Sequence, residues 1–198
     1  MWALIEDGSI TKLINNPKAM VIDDIQYSRN IFSFRWSNEE REAIGLYEIV
    51  HDNSNRKDQK YYNNTNQSFA LADGAVTASY GSATANSLAD VNGTDADGVE
   101  LDPVVVIEGL KTKHKRIIKQ QASSLLTAND WYVVKATEVG SYSVPGAITT
   151  YRAGVRTASN DMETLIDACS TVDELAALYD YNDDEPPTRP LGEFPEAV

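Results

Sequence analysis

The hydrophobic pattern of this 198-residue chain changes its period about halfway along. Up to about residue 80, short runs such as Ile10-Thr11-Lys12-Leu13-Ile14 alternate apolar and polar residues, which is typical of half-buried strands. From about residue 104, apolar residues recur at the three- and four-residue spacing of amphipathic helices. The pattern therefore predicts an α+β protein with four parts: a β-rich N-terminal domain (1–85), a flexible linker rich in small and polar residues (86–103), a helical module (104–181) and an extended acidic, Pro-rich arm (182–198).

Two Asp-Gly dipeptides, Asp7-Gly8 and Asp73-Gly74, lie between strand-like runs and predict two β-hairpins. Further strands are predicted at residues 19–22, 31–34 and 46–50. Ser37 with Glu40 has the spacing of a capping box, which predicts a short helix over residues 38–44 that ends at Gly45. A second capping box, Thr171 with Glu174, opens a short helix near the C-terminus.

A helix beginning shortly after residue 104 combines an apolar stripe with a basic face. The basic face contains Lys111, Lys113, Lys115, Arg116 and Lys119, with His114 among them. This face is either simply solvated or docked on an acidic surface, which is the chain's own C-terminus or a partner protein. Lys115, Arg116 and Lys119 are therefore candidate partner-binding residues.

The unit from Leu125 to Arg156 reads as a helix, an extended aromatic segment over residues 130–134, and a second helix after Pro145. Trp131 is either a core residue or a binding platform. Arg152 and Arg156 lie one helical turn apart and are suited to hold a carboxylate, with Glu163 and the acidic arm as candidates.

The second helix has an apolar seam at four- and three-residue spacing, formed by Tyr151, Val155, Ala158, Met162, Leu165 and Cys169. The seam either faces the core or forms a homo-oligomer contact. Cys169, the single cysteine, falls inside this pattern and is expected to be a buried small hydrophobe. In the arm, Leu191 and Phe194 are the apolar anchors that could seat it in a groove elsewhere.

The sequence contains no pattern that indicates catalysis. The two histidines, His51 and His114, have no second ligand at metal-binding spacing, and no Gly-rich phosphate loop or nucleophile elbow is present. The acidic run from Asp90 to Gly98 fails the EF-hand template, because Thr94 and Asp95 stand where the fifth ligand and the glycine belong. We therefore expect no enzyme activity, no cofactor and no metal.

The net charge of −13 also excludes classes of partner. Nucleic-acid binding and docking on an anionic membrane both need clustered cations, so neither is expected. The N-terminus has no basic region followed by a long apolar run, so no signal peptide or membrane span is expected either.

Two stretches resemble proteins of tailed bacteriophages. The helical module is similar to the C-terminal module of tail assembly chaperones and tail-fibre assembly proteins, through Lys115-Arg116, Ala122, Leu125-Leu126, Asp130-Trp131, Pro145, Tyr151-Arg152 and Arg156. The N-terminal half resembles proteins encoded near the tail genes of cyanophage-type marine viruses, through the opening Met1 to Ala19, the run Tyr27 to Phe32, and the stretch from Trp36 to Val50. This chain departs from the chaperones in its β-rich N-terminal domain and its acidic C-terminus.

The resemblance implies a non-enzymatic structural protein of the virion tail, or of a tail-fibre attachment point, that docks other tail or tail-fibre proteins. It implies a place in the virion, with the host cytoplasm as the site of assembly. Two alternatives stay open: a transient assembly chaperone, and a carbohydrate-binding module that recognises the host through Tyr61, Tyr62 and Tyr80.

Overall fold

The computed structural model describes all 198 residues and divides them into two compact units, Met1–Thr84 and Ala85–Val198. Unit 1 is built mainly from strands and unit 2 mainly from helices, so the predicted α+β class is confirmed. The elements of unit 1 are β1 (Trp2–Glu6), β2 (Ser9–Ile14), β3 (Met20–Ile22), β4 (Ile25–Tyr27), α1 (Asn38–Glu42), β5 (Leu46–Asp52), β6 (Tyr62–Asn63), β7 (Gln67–Ala72), β8 (Ala75–Tyr80) and, at the unit boundary, β9 (Thr84–Ala85).

The main sheet of unit 1 has five strands in the order β2-β1-β5-β8-β7. All neighbours are antiparallel except β5 and β8, which run parallel. Both predicted hairpins are present, and all four residues of their Asp-Gly turns have positive φ, as a type I′ turn requires. The alternation of the strands buries one cluster on each face, the larger one around Trp2, Leu4, Ile14, Ile22, Ile31 and Leu46.

The predicted strand at residues 31–34 is wrong, because a 3₁₀ turn over Arg29–Phe32 takes its place. The buried Arg41 explains the difference: its guanidinium donates to the carbonyl oxygens of Ile31 at 2.9 Å and Ser33 at 2.5 Å. Because these carbonyls bond a side chain from α1, they do not need a neighbouring strand. The predicted capping box at Ser37 is confirmed, and it sets the start of α1.

The elements of unit 2 are β10 (Val91–Asn92), β11 (Val106–Ile107), α2 (Leu110–Thr127), α3 (Asp130–Glu138), α4 (Gly146–Ala168) and α5 (Val172–Ala177). Helices α2 and α4 pack together through Ala122, Tyr151 and Val155. The Thr171 capping box that opens α5 is confirmed. No helix combines the length and apolar character that crossing a membrane would require.

The segment predicted to be a flexible linker contains backbone structure that belongs to unit 2. Strand β10 pairs antiparallel with β11, and the Asp95 side chain accepts the N–H groups of Asp97 and Val99. The Asp90 carboxylate accepts the N–H of Gly109, the residue that precedes α2. Part of this acidic run therefore forms turns and a helix-terminal contact.

The extended segment predicted at residues 130–134 is also wrong, because these residues form the first half of α3. Their β-branched and aromatic side chains favour a strand only weakly, and a tertiary contact outweighs that preference. The contact is an ion pair between Asp130, in the first turn of α3, and Arg152 of α4.

Candidate docking surface

Helix α3 has apolar or aromatic side chains at five of its nine positions, at residues 131–134 and 136, and yet contributes no buried residue to the core. Trp131 and Val134 are each 52% exposed, and Val133 is 42% exposed. A short helix in a folded protein normally covers the core with its apolar side, so an apolar helix without buried residues marks a surface that can be covered by a partner.

Side chains of α3, together with Tyr142 in the segment that follows it, form an aromatic group. The rings of Trp131 and Tyr132 lie 3.8 Å apart between centroids, and the Lys135 ammonium lies 5.8 Å from the Trp131 ring and 4.4 Å from the Tyr142 ring. Val134 follows Trp131 at the three-residue spacing that places side chains on one helix face. We call Trp131, Tyr132, Val134, Lys135 and Tyr142 the α3 patch.

Arg152 holds the start of α3 against the other two long helices. Its Nη1 donates to the carbonyl oxygen of Leu126 at 2.7 Å, and its Nη2 lies 2.8 Å from Asp130 Oδ1. Leu126 is in the last turn of α2, where the helix dipole favours the Arg152 cation. Asp130 is in the first turn of α3, where the helix dipole favours its carboxylate. Only 9% of Arg152 is exposed, which makes it a structural support of the patch.

Arg152 and Arg156 were predicted to hold a carboxylate, and one of them does, although the carboxylate is neither Glu163 nor part of the acidic arm. Arg152 binds Asp130 and not Glu163, while Arg156 donates to the backbone carbonyl of Arg152 at 3.3 Å. An open cleft of about 480 Å³ between α2 and α4 is lined by the side chains of Lys119, Asp130, Arg152, Arg156 and Glu163. Cations and carboxylates are mixed in this cleft, so it has no single charge to recognise.

The basic face of α2 meets acidic residues of the same chain. Lys115 lies 2.7 Å from Asp167, and Lys119 lies 3.1 Å from Glu163, both on α4. Arg116 pairs with Glu108 at 3.3 Å, just before α2. The acidic residues that this face contacts are therefore on α4 and just before α2, which the sequence analysis did not consider, and a role for the three cations in partner binding stays a prediction.

Three other candidate partner-binding residues lie inside unit 2. Tyr151 and Leu191 are 5% and 2% exposed, and Phe194 packs on the cluster formed by Ala122, Tyr151 and Val155. Leu191 and Phe194 do seat their segment in a groove, and that groove belongs to the chain itself. In the α4 seam, Leu165 is exposed while Ile166 is fully buried, because the core face follows Ile148, Tyr151, Val155, Ser159, Met162 and Ile166.

A buried histidine was missed by the sequence reasoning. His114 is 3% exposed, and its Nδ1 lies 2.6 Å from the hydroxyl of Tyr179, beyond the end of α5. The pattern grouped it with the neighbouring lysines, although Leu110, His114, Ile118 and Ala122 follow one another at four-residue intervals and are all buried. This four-residue spacing places His114 on the buried face of α2 and would have predicted its burial.

Cys169 is buried, as predicted, and burial raises the pKa of its thiol. The structure contains no group of three or more His, Cys, Asp or Glu side chains arranged to hold a metal ion. Of the tyrosines considered for sugar binding, Tyr61 is buried, while Tyr62 and Tyr80 are half-buried with the cations of Lys57 and Arg56 at 5.7 Å and 6.0 Å from their rings.

Comparison of the chain with protein-family models, characterised proteins and solved structures finds no match. The α3 patch and its support by Arg152 therefore have to be interpreted from their own geometry.

Proposed function

We propose that this chain is a non-enzymatic structural protein of a phage tail, which docks another tail or tail-fibre protein through the α3 patch. The observation that carries the proposal is the exposure of Trp131 and Val134 on a helix that buries nothing. The resemblance of the helical module to tail assembly proteins supports the phage context, and Asp130, Trp131 and Arg152 are among the residues that carry it.

The composition of the patch suits a protein interface. Trp and Tyr side chains that lie among apolar residues contribute strongly when a partner excludes water from them. Arg152 fixes α3 before binding, so little conformational freedom is lost on docking. The large negative charge of the chain favours a partner whose contact surface carries cations around an apolar centre.

Substitution of Trp131 tests the proposal. Loss of an interface tryptophan typically costs about 2 kcal/mol or more, so Trp131→Ala should weaken binding to the tail partner by roughly thirtyfold. Val133 lies on the opposite side of the same helix and is also exposed, so Val133→Ala is the matched control and should bind as the unchanged chain does. Affinity is measured by calorimetry against the tail protein recovered with this chain from infected cells.

Because Trp131 is about half exposed, Trp131→Ala should lower the unfolding midpoint of unit 2 by several degrees and Val133→Ala by less, so both variants stay folded at the temperature of the binding measurement. Equal binding by the two variants would show that the patch is not the docking surface. A transient assembly chaperone would use the same patch, and it differs in being absent from finished particles. We do not propose glycan binding, since Tyr61 is buried and cations lie over Tyr62 and Tyr80.

A further inference from the structure

The last residues of the chain occupy a groove on the α2–α4 pair of unit 2. Phe194 packs on Ala122, Tyr151 and Val155, and Leu191 is only 2% exposed. Next to Phe194, Pro195 lies against Gly154 of α4, close enough that a β-carbon at Gly154 would be 3.9 Å from the Pro195 Cβ. We call residues 189–195 the anchor segment.

The anchor segment is held almost entirely by its side chains. Its one backbone bond to the rest of unit 2 is the Leu191 N–H, which donates at 3.0 Å to the carbonyl oxygen of Leu178, the residue that follows α5. The other contacts are local: Arg189 pairs with Glu193 at 2.7 Å, and the Tyr181 hydroxyl donates to Glu193. The segment has no strand or helix of its own, so it behaves as a short ligand attached to the protein that it binds.

The connection between α5 and the anchor segment is a small closed loop. The Asn182 side chain donates to the Thr188 hydroxyl at 2.8 Å and accepts the Thr188 N–H at 2.8 Å. The residues between them, Asp183-Asp184-Glu185-Pro186-Pro187, are exposed and make few contacts. When the Asn182–Thr188 bonds open, these five residues can extend over roughly 3.3 Å each, or about 16 Å in all.

From these observations we infer that the α2–α4 groove binds the anchor segment of a second copy of this chain, so that two or more copies are joined by exchange of their C-termini. Every contact made by Leu191, Phe194 and Pro195 within one chain is reproduced between chains. Exchange therefore gives up no apolar burial, and its cost is the bonds that close the loop together with the translational and rotational freedom lost when two copies associate. The inference rests on these contacts alone and does not depend on a role in a phage tail.

The charge of the chain sets the conditions under which exchange occurs. The segment from residue 182 onwards carries five acidic residues and one arginine, and the whole chain has a net charge of −13. Two copies therefore repel each other at low salt. Raising the salt concentration screens this repulsion and should increase the exchanged fraction.

Two single-cysteine chains distinguish exchange from binding within one chain. Cys169 is first replaced by Ala, and Gly154→Cys and Pro195→Cys are then made in separate full-length chains. The predicted β-carbon separation of 3.9 Å falls within the range that a disulfide spans. Because each chain holds only one partner of the pair, a disulfide between these two positions can form only between copies.

We expect the mixed and oxidised chains to yield a covalent dimer with this disulfide, identified by mass spectrometry of the linked peptides. At low dimer fractions, tenfold dilution should lower its yield about tenfold, as mass action requires. Phe194→Ala in the Pro195→Cys chain should abolish the product, and Asn182→Ala should increase it. Gly146→Cys is the matched control, because a side chain at Gly146 meets only open space and should form no such disulfide.

A single chain that carries both Gly154→Cys and Pro195→Cys keeps the inference falsifiable. If this chain oxidises fully within itself while the mixed chains form no linked dimer at any concentration or salt, the anchor segment stays in its own groove and the inference is wrong. If neither sample forms the disulfide, the groove does not hold the segment, which overturns the inference as well.

Discussion

Replacing Arg152 by Met tests how much the hydrogen bonds of its guanidinium, as distinct from the packing of its side chain, stabilise the position of α3. Methionine keeps an unbranched apolar stem in the same place and removes the guanidinium, which bonds the Leu126 carbonyl at 2.7 Å and Asp130 at 2.8 Å. A hydrogen bond from a charged donor contributes roughly 1.5–3 kcal/mol. The pair with Asp130, whose side chain is 54% exposed, contributes about 0.2–1 kcal/mol.

We therefore expect Arg152→Met to lower the free energy of unfolding of unit 2 by about 2–3 kcal/mol, most of it from the carbonyl bond. Because the Leu126 carbonyl also accepts the Asn129 N–H, the lower part of this range is the better expectation. The matched control is Asp130→Asn, which removes the ion pair alone and should cost less than about 1 kcal/mol.

The assay is urea unfolding followed by circular dichroism at 222 nm, since all the long helices belong to unit 2. With a denaturant slope of about 1.5–2 kcal/mol/M, Arg152→Met should move the midpoint by roughly 1 M or more, and Asp130→Asn by less than half of that. Equal shifts for the two variants would show that the carbonyl bond contributes nothing. A shift for Arg152→Met below about 0.3 M would mean that the guanidinium does not hold α3.

Other substitutions test the fold in the same way. Gly45→Ala should destabilise unit 1 by about 2 kcal/mol or more, because Gly45 has φ of +75° and a Cβ there would collide with the carbonyl oxygen of Ile5; thermal unfolding close to the wild-type midpoint would be evidence against this turn. Phe194→Ala should cost about 2 kcal/mol in urea unfolding, roughly half of what a fully buried phenylalanine costs, and a loss below about 0.5 kcal/mol would show that the C-terminal residues are not seated. The N–H of Gly109 lowers the pKa of Asp90 from its ordinary value of 3.8, so the stabilisation by Asp90 is complete above that value and is lost as the pH falls through the lowered pKa. Acid unfolding monitored at 222 nm should accordingly be less steep for Asp90→Asn, and identical acid profiles would exclude this contact.

Local signals predicted much of the fold. The two Asp-Gly turns and the two capping boxes each depend on residues a few positions apart, and all four are present. Such motifs satisfy their own backbone hydrogen bonds, so they form in the same way whatever packs on them.

Long-range contacts decided the elements that were predicted wrongly. The guanidinium of Arg41 bonds carbonyls eight and ten residues earlier, and Arg152 bonds a carbonyl 26 residues earlier. Neither contact leaves a periodic pattern in the sequence. The aromatic and β-branched residues at the start of α3 therefore indicated a strand, although the helix is what the Arg152 contact favours.

The candidate site was predicted in part. Trp131 was left open as a core residue or a platform, and its 52% exposure favours the second interpretation. Leu191 and Phe194 are predicted to anchor an arm because composition alone cannot tell an acidic, Pro-rich arm from a segment that folds back. Tyr151 belongs to the apolar seam of α4, for which the sequence leaves a core face and an oligomer contact open, and it is buried within unit 2. The burial of Leu191 and the packing of Phe194 mean that deletion of residues 182–198 should destabilise unit 2.

The proposed role can be tested on purified phage particles with amine-reactive cross-linking and mass spectrometry. Lys135 lies within the α3 patch, so its ammonium reports directly on what covers the patch. We predict that this chain is recovered in the particle in a fixed ratio to the tail proteins, and that Lys135 is cross-linked to one of them. Recovery from the lysate but not from the particle would contradict a structural role, and cross-links that join other lysines but never Lys135 to tail proteins would contradict docking through α3.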